Sequence, residues 1–337
     1  MQPLPLLVTH PDEVQSVKHL AADLRLTQEG RQLALDLYFR RLPPLPTRTS
    51  LPYLFGVSNS LIGAMQKWPI RYYRLYSIAK SSGGERTIEA PRIFLKLVQT
   101  WINAHICSQF STPDYVMGFK KRRSIFTNAE VHARNRNLMV VDIEEFFPST
   151  RHEAVVKAFA SFRFPPDVCR QLANLCCIQK RLPQGAPTSP ALSNVVFAPV
   201  DEILNNQAAE WKCRYTRYAD DLAFSGGRRF TSEDISRVKE VLSSFGYRAN
   251  DKKTRIVGPG GRKLVAGLVV NSRPLPPRTR RRLWRAIFHR ASKHPKEFAD
   301  RIAYLSGVAA FVNQYSNRLA NEYRSIVESI RQEGRPS

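Results

Sequence analysis

Two adjacent acidic residues, Asp220 and Asp221, stand at a predicted bend in a chain with a large excess of positive charge. Residues 215–218 and 222–225 on either side have the composition of strands, which predicts a hairpin with the acidic pair at its bend. Adjacent carboxylates repel each other unless a cation lies between them, so the bend predicts a divalent metal site. The alternative for an isolated acidic pair is an ordinary solvated turn.

The charge of the whole chain narrows the choice of partner. Its 337 residues contain 52 Lys and Arg against 28 Asp and Glu, a formal net charge of +24, and 43% of them are hydrophobic. That apolar content is enough for a proper core, and the positive field predicts a phosphate backbone as the main partner. A basic protein without such a partner is the alternative.

Targeting signals and cysteine patterns are lacking in the sequence. Residues 1–7 show no basic leader ahead of an apolar core, and no apolar stretch reaches the length of a membrane span, which predicts a cytoplasmic protein without a membrane partner. The five cysteines lack Cys-x-x-Cys spacing, which predicts reduced, mostly buried thiols rather than disulfides or a zinc site.

A third carboxylate lies at the end of a short apolar run. Residues 138–143 have the pattern of a buried strand, and Asp142 falls at its exposed end. With Asp220 and Asp221 it would bring three carboxylates to one sheet edge, which suits two Mg²⁺ ions about 3.5–4 Å apart. Such a pair of ions serves nucleotidyl transfer.

Other segments alternate between helical and strand patterns. Residues 71–88 predict two strands joined by a glycine turn that carries Lys80 and Arg86 at its tip. Residues 182–190 form a loop rich in helix breakers, and residues 264–270 predict another strand. Residues 278–290 predict a strongly basic helix.

In their order along the chain, these segments resemble a reverse transcriptase. Tyr-Ala-Asp-Asp at 218–221 is similar to the signature box of that family, residues 141–149 to the first palm motif, and residues 182–190 to the loop of the dNTP pocket. Residues 246–254 resemble the lysine-bearing palm segment, and residues 264–270 resemble the primer grip. The resemblance covers about residues 70–275.

The resemblance implies an α+β fold, that of a right-hand polymerase with fingers, palm and helical thumb, in which the palm is an antiparallel sheet with helices. The expected divisions are an amino-terminal helical extension (residues 1–50), fingers (51–137), palm (138–271) and a basic helical thumb (272–337).

The resemblance also implies roles for individual residues. The expected ligands of two Mg²⁺ ions are Asp142, Ile143, Asp220 and Asp221, with the three aspartates catalytic. The expected nucleotide-binding residues are Lys80, Arg86, Phe147, Gln184, Gly185 and Lys252, with Lys253 as the alternative to Lys252. Phe147 would exclude a ribose 2′-hydroxyl, or else be a core aromatic beside Phe146.

Smaller motifs resemble the retron group of bacterial reverse transcriptases. Asn128, Ala129 and His132 match the Asn-Ala-x-x-His element of that group, although a helical turn with a satisfied histidine would give the same pattern. Val265, Ala266 and Gly267 fall where the group has Val-Thr-Gly, with alanine replacing threonine. Both elements are expected to contact RNA.

The basic helix is also expected to contact RNA, since it falls at the family's thumb. Its arginines surround an apolar seam formed by Leu283, Trp284, Ile287 and Phe288, and a solvated charged face is the alternative. The arginines expected to bind RNA are Arg278, Arg281, Arg282 and Arg285.

The retron resemblance implies a particular reaction. A cognate structured non-coding RNA would serve as template and as primer, through the 2′-hydroxyl of a guanosine, and dNTPs would be polymerised into branched RNA-linked single-stranded DNA (msDNA). A separate effector protein for anti-phage defence is implied as well. The rivals are group II intron, diversity-generating and abortive-infection reverse transcriptases, and a non-catalytic RNA-binding scaffold.

Overall fold

The structure is a computed structural model that describes residues 14–79 and 84–333. The chain divides into two compact units. The first comprises Met1–Phe119, Ile143–Leu204 and Ser236–Asn250, and the second comprises Lys120–Asp142, Asn205–Ile235 and Asp251–Ser337.

The elements of the described residues follow the predicted alternation of helices and strands. The helices are α1 (Val14–Asp23), α2 (Gln28–Phe39), α3 (Ser50–Phe55), α4 (Asn59–Lys67), α5 (Ile93–His105), α6 (Ile125–Val131), α7 (Phe146–Ser149), α8 (His152–Ala160), α9 (Pro166–Cys176), α10 (Ser189–Glu210), α11 (Ser232–Ser244), α12 (Arg278–Lys293), α13 (Ile302–Asn313) and α14 (Asn317–Glu333). The strands are β1 (Tyr73–Ala79), β2 (Glu85–Pro91), β3 (Asn137–Glu144), β4 (Cys213–Tyr218), β5 (Asp221–Gly226), β6 (Arg248–Ala249), β7 (Arg255–Val257), β8 (Leu264–Val265) and β9 (Leu268–Val269).

The first unit is built mainly from helices. The apolar sides of α1 to α5, α8 and α9 form one core, in which Leu20, Leu37, Ile62 and Phe159 are fully buried. The antiparallel hairpin β1–β2 belongs to this unit and is exposed along most of its length. The buried Gln99 side chain in α5 donates one hydrogen bond to the Leu175 carbonyl oxygen (2.8 Å) and so ties α5 to α9.

The second unit contains the antiparallel sheet that carries the acidic residues. In this unit β5 lies between β4 and β3, and β7 pairs with the other side of β3. In the first unit the end of β3 pairs with β6, through Ile143 and Ala249. The predicted strand over 138–143 is confirmed as β3, and its continuous apolar composition reflects burial along the whole strand up to Ile143.

Residues 264–270 do not form the single strand predicted from their composition. They form a small hairpin, β8–β9, in which Val265 pairs with Leu268 across a two-residue turn. Ala266 and Gly267 in that turn have φ of 46° and 80°. Positive φ at both central residues is the geometry that matches the twist of a tight hairpin, so the chain reverses where the sequence pattern predicted continuity.

Helices α12, α13 and α14 pack together in the second unit around a core of their own. Phe288 of α12 stacks on Tyr323 of α14, with ring centroids 3.6 Å apart and planes 2° from parallel. Trp284 and Phe288 are buried as the predicted seam requires, whereas Leu283 is 57% exposed. The seam is therefore narrower than the sequence indicated, because Leu283 lies one position outside the stripe.

The α+β class is confirmed, and so is the antiparallel palm-like sheet. Within the described part of the chain, the helices lack the combination of length and apolarity that spanning a bilayer requires. The five cysteines are free thiols, four of them buried. The division into amino-terminal extension, fingers, palm and thumb stays a prediction.

Candidate active site

A two-residue turn joins β4 to β5 and carries Asp220. Tyr218 and Asp221 pair at the ends of the two strands, so Ala219 and Asp220 form the turn. The hairpin is present as the sequence predicted, but of the acidic pair only Asp220 lies in the bend, since Asp221 begins β5. Ala219 has φ of 57°, in the left-handed region that costs a non-glycine residue about 1–2 kcal/mol. The strand pairing on both sides holds this strained turn in place.

Asp142 and Asp221 lie directly opposite each other in neighbouring strands. The register of β3 and β5 pairs Asp142 with Asp221 at the last position of the ladder. Residues opposite each other in an antiparallel pair have Cβ atoms about 4.5–5.5 Å apart and face the same side of the sheet. The predicted convergence of these carboxylates at one sheet edge is therefore present in the structure.

Lysine 253 neutralises part of this acidic cluster. Its Nζ atom donates to both carboxylate oxygens of Asp142, at 3.0 and 2.9 Å. Partial burial lowers the pKa of Lys253, but the hydrogen bond to Asp142 and the charges of Asp220 and Asp221 outweigh it and raise that pKa. Both lysines that the sequence left open are exposed, and Lys253 is the one that contacts Asp142.

Asp221 remains short of positive charge despite this lysine. Burial, followed by the charges of Asp220 and Asp142, raises the pKa of Asp221 from 3.8 to about 7. A carboxylate in that state gains from a cation placed beside it, since a nearby opposite charge favours the ionised form. The donor chemistry of the cluster therefore suits a hard divalent cation.

The carboxylates of Asp142, Asp220 and Asp221 are not arranged as the ligands of a single metal ion. Among residues 14–79 and 84–333, no three His, Cys, Asp or Glu side chains form a ready metal-ligand group. Lys253 contacts both oxygens of Asp142, so that carboxylate is directed toward an ammonium group. Ion binding at Asp142 would compete with this contact.

Arg217 is a buried residue of the hairpin that the sequence reasoning missed. It is fully buried in β4, and its Nη1 atom donates to the Ala219 carbonyl oxygen at 3.3 Å. The guanidinium thus contacts the backbone of the strained turn. An arginine inside the strand pattern beside Tyr-Ala-Asp-Asp was the available signal, because a charged group is buried only when it is paired.

The predicted nucleotide loop is bound to strand β2 within the first unit. The Gln184 backbone N–H donates to Glu89 Oε2 (3.3 Å), and the Glu89 backbone N–H donates to the Gln184 carbonyl oxygen (2.8 Å). Arg181 donates to both oxygens of buried Glu89 at 2.8 and 2.7 Å. Gly185 has φ of 135°, and a Cβ there would lie 2.9 Å from the Glu89 carbonyl oxygen.

The remaining predicted nucleotide residues are found in different settings. Phe147 is half-buried beside the first-unit core, with its ring 5.8 Å from that of Phe119 and 5.6 Å from that of Phe146. Arg86 is exposed inside β2, opposite Ile78, and not at the tip of the turn. Lys80 lies outside the described residues.

The Asn-Ala-x-x-His element is buried, which contradicts direct RNA contact by its side chains. Asn128, Ala129 and His132 are at most 1% exposed. The His132 ring hydrogen-bonds to Ser225 and Thr216, both at 2.7 Å. A satisfied interior histidine, the alternative that the sequence left open, is the one present.

The second expected RNA element is a turn, while the arginines of α12 face solvent. Val265 is buried in a small core with Leu268, so its side chain does not face solvent as an RNA contact would require. Ala266 and Gly267 form the turn of β8–β9. Of the predicted arginines, three are exposed and Arg281 is half-buried, with Nε donating to the Pro276 carbonyl oxygen at 3.1 Å. The exposed arginines are Arg278, Arg282 and Arg285.

Comparison with known proteins identifies the class. The family model described as reverse transcriptase (RNA-dependent DNA polymerase) matches residues 78–286, which include the acidic cluster and the whole antiparallel sheet. The chain therefore belongs to the reverse transcriptase family, and its enzyme class is RNA-directed DNA polymerase.

Relatives narrow the class to the retron type. Retron Mx162 reverse transcriptase of Myxococcus xanthus is 31% identical over 348 aligned positions, covering 88% of this chain and 71% of that protein. Retron Mx65 reverse transcriptase of the same organism is 31% identical, with coverages of 80% and 69%. Retron Ec86 reverse transcriptase of Escherichia coli is 34% identical over 59% of this chain, which spans 63% of that relative. The chain is a retron-type reverse transcriptase.

Proposed function

We propose that Asp142, Asp220 and Asp221 are the catalytic residues of DNA synthesis and hold two Mg²⁺ ions, with the Ile143 backbone beside them. The observation that carries the proposal is the register that sets Asp142 against Asp221, next to the turn with Asp220. Two such ions would activate a primer hydroxyl and neutralise charge on the reacting phosphate. The raised pKa of Asp221 supports the assignment, because burial and then the charges of Asp220 and Asp142 disfavour its ionised form, which a bound cation would stabilise.

The binding of the incoming nucleotide is assigned to the first unit. Gln184 and Gly185 line the pocket, and Phe147 excludes the ribose 2′-hydroxyl. Lys80 and Arg86 contact the triphosphate. The bonds of the loop to Glu89 support this role, because a pocket that selects one substrate geometry requires a fixed backbone. Lys253 takes the phosphate-side role expected of Lys252, since it already lies against Asp142.

The substrate is a cognate structured non-coding RNA. The enzyme copies part of it into msDNA, priming from a guanosine 2′-hydroxyl, and a separate effector uses the complex in anti-phage defence. The retron names of the relatives and the exposed arginines of α12 support this choice. Basic helices of this kind suit RNA stems, which proteins recognise largely by shape and backbone.

Replacing the acidic pair tests the catalytic assignment. The Asp220→Asn and Asp221→Asn double variant should lose DNA synthesis on an RNA template with an annealed DNA primer, and should keep its RNA affinity within a few-fold. Asp300→Asn, at an exposed position of the second unit, is the control for loss of an acidic charge. Persistent primer extension by the double variant would refute the assignment.

Sequencing the nucleic acid that co-purifies with the protein tests the retron reaction. The native host should yield single-stranded DNA joined to RNA, which separates from it only after debranching treatment. RNase alone should leave a short RNA remnant at the branch. Absence of a 2′,5′-branched product, while the neighbouring non-coding RNA is expressed, would exclude retron synthesis and leave polymerase activity intact.

A further inference from the structure

A buried chain of hydrogen bonds connects helix α6 to both strands of the catalytic hairpin. His132 Nε2 lies 2.7 Å from Thr216 Oγ1 of β4, and His132 Nδ1 lies 2.7 Å from Ser225 Oγ of β5. Thr216 Oγ1 donates to Asn128 Oδ1 (2.6 Å), and Asn135 Nδ2 donates to Ser225 Oγ (2.8 Å). His132, Thr216 and Ser225 are at most 1% exposed.

The direction of every bond in this chain is determined. Thr216 gives its only proton to Asn128, so it must accept from His132 Nε2–H. Neutral His132 then has Nδ1 as an acceptor, and the Ser225 hydroxyl donates to it while accepting from Asn135. The histidine thus connects the side chains of the two strands through a fixed tautomer.

This chain lies on the face of the hairpin that carries Asp221. Thr216 pairs with Ala223, and Tyr218 pairs with Asp221. Residues two apart on a strand face the same side, so Thr216 and Asp221 share one face, about 7 Å apart along the strand. Ser225 is on that face too, four residues beyond Asp221.

We propose that His132 is a positioning residue which, through Thr216 and Ser225, holds the two strands of the hairpin in the register that presents Asp221 to the metal site. The inference rests on the proposed metal role of Asp221. It gives the Asn-Ala-x-x-His element a function inside the protein in place of RNA contact, because the element's side chains are buried. Loss of a link would detach helix α6 from one strand while the backbone ladder of β4 and β5 remains. The expected result is a small displacement of the hairpin near Asp221, and small displacements of reacting groups reduce catalysis strongly.

The test compares Thr216→Val, which loses the hydroxyl at nearly constant volume, with Thr216→Ser, which keeps it. Mn²⁺ affinity is measured by electron paramagnetic resonance on the full chain, together with the rate of primer extension. Thr216→Val should bind Mn²⁺ several-fold more weakly and extend primers about tenfold more slowly. Thr216→Ser should stay within twofold of the wild type, and RNA affinity should be unchanged in both.

A second pair of variants decides the question if Thr216→Val does not fold. Ser225→Ala removes the other link, and Ser50→Ala in the first unit removes a fully buried hydroxyl that bonds to Thr47. Weaker Mn²⁺ binding in Ser225→Ala alone supports the inference. Equal Mn²⁺ affinity in all folded variants, or a loss confined to RNA affinity, overturns it. A wild type that binds Mn²⁺ but extends no primer would refute the proposed catalytic role of the acidic residues, and the comparison of Mn²⁺ affinities would still decide the role of His132.

Discussion

At the scale of single residues, Gly185 shows how closely the nucleotide loop follows strand β2. Its φ of 135° is a region open essentially to glycine, and a Cβ would lie 2.9 Å from a backbone oxygen that cannot rotate away. Neither the strain nor the clash can be relieved by a side-chain movement. The loop must therefore shift if the glycine is replaced.

Gly185→Ala should raise the KM for dNTPs about tenfold or more, because the loop that we assign to the pocket is displaced from β2. The matched control is Gly246→Ala, at a position with φ of 80° and no atom within 4 Å of an added Cβ. The control should lose about 1–2 kcal/mol of stability through backbone strain alone and keep its KM. Steady-state kinetics at saturating template distinguish the two, and an unchanged KM in Gly185→Ala would contradict the assignment.

The burial of His132 should make the stability of the folded protein depend on pH. Burial, aided by the charge of Arg214, lowers the pKa of His132 from 6.5 to about 3. The unfolded chain binds a proton at His132 near pH 6.5, but the folded chain does not. Above pH 6.5 the imidazole is neutral in both states, so the free energy of unfolding is not reduced by its protonation. As the pH falls from about 6.5 toward about 3, protonation of the unfolded chain lowers the free energy of unfolding by up to several kcal/mol.

The midpoint of thermal unfolding should therefore fall on acidification from pH 7 to pH 5. His132→Asn should unfold at a lower midpoint at pH 7, because it loses buried hydrogen bonds. Its midpoint should also depend less on pH, because the imidazole whose pKa is lowered by folding is absent. His19→Asn, at an exposed position, should keep the slope of the wild type. Parallel curves for His132→Asn and the wild type would show that His132 does not titrate in this way.

At the scale of elements, the junction of β2 with the nucleotide loop depends on one ion pair. The hydrogen bond to Glu89 outweighs the effect of burial and, with the charge of Glu89, raises the pKa of Arg181. Arg181 is bidentate on Glu89, whose Oε2 also accepts from the Gln184 backbone. Removing the charge of Glu89 would weaken three contacts of one junction at once.

Glu89→Gln should lower stability by about 1–3 kcal/mol and raise the KM for dNTPs, since the partly exposed Arg181 loses its bidentate partner. Glu297→Gln is the matched control, because Glu297 pairs with Arg290 at 2.8 Å but both side chains are more than half exposed. The control should change stability by less than about 0.5 kcal/mol. Equal effects of the two substitutions on the unfolding midpoint would show that the junction is not stabilising.

The local sequence pattern was sufficient to predict some elements of the site but not others. The apolar run before Asp142 and the acidic bend predicted β3 and the β4–β5 hairpin, because strand burial and turn formation are determined within a few residues. The burial of His132 could not be predicted in this way, since its partners Thr216 and Ser225 are 84 and 93 residues distant in sequence. The β8–β9 turn was missed because Ala266 is not a residue that indicates positive φ.

At the scale of the whole molecule, the net charge of +24 attracts nucleic acid but does not say where it binds. The second unit offers two helices with exposed arginines. On α12 the exposed arginines that the sequence assigned to RNA are Arg278, Arg282 and Arg285, and Arg280 and Arg290 are exposed as well. On α14 the exposed arginines are Arg318, Arg324 and Arg331, of which Arg331 pairs with Glu328 at 2.8 Å. If only the total charge mattered, the two sets would be interchangeable.

Neutralising each set separately distinguishes a binding face from a general field. A variant with Arg278, Arg282 and Arg285 of α12 replaced by Gln should bind RNA with a weaker salt dependence. The slope of the logarithm of the association constant against the logarithm of the salt concentration should fall in magnitude by about 2–3, because each lost phosphate contact removes about 0.7–0.9. The α14 triple variant carries the same net charge and should change the slope by less than about 1, since a distributed field contributes few direct phosphate contacts. Filter-binding titrations over a range of salt concentrations measure both slopes. Equal reductions in the two variants would mean that RNA is held by the field of the whole protein, and that the assignment of α12 as an RNA-binding helix is wrong.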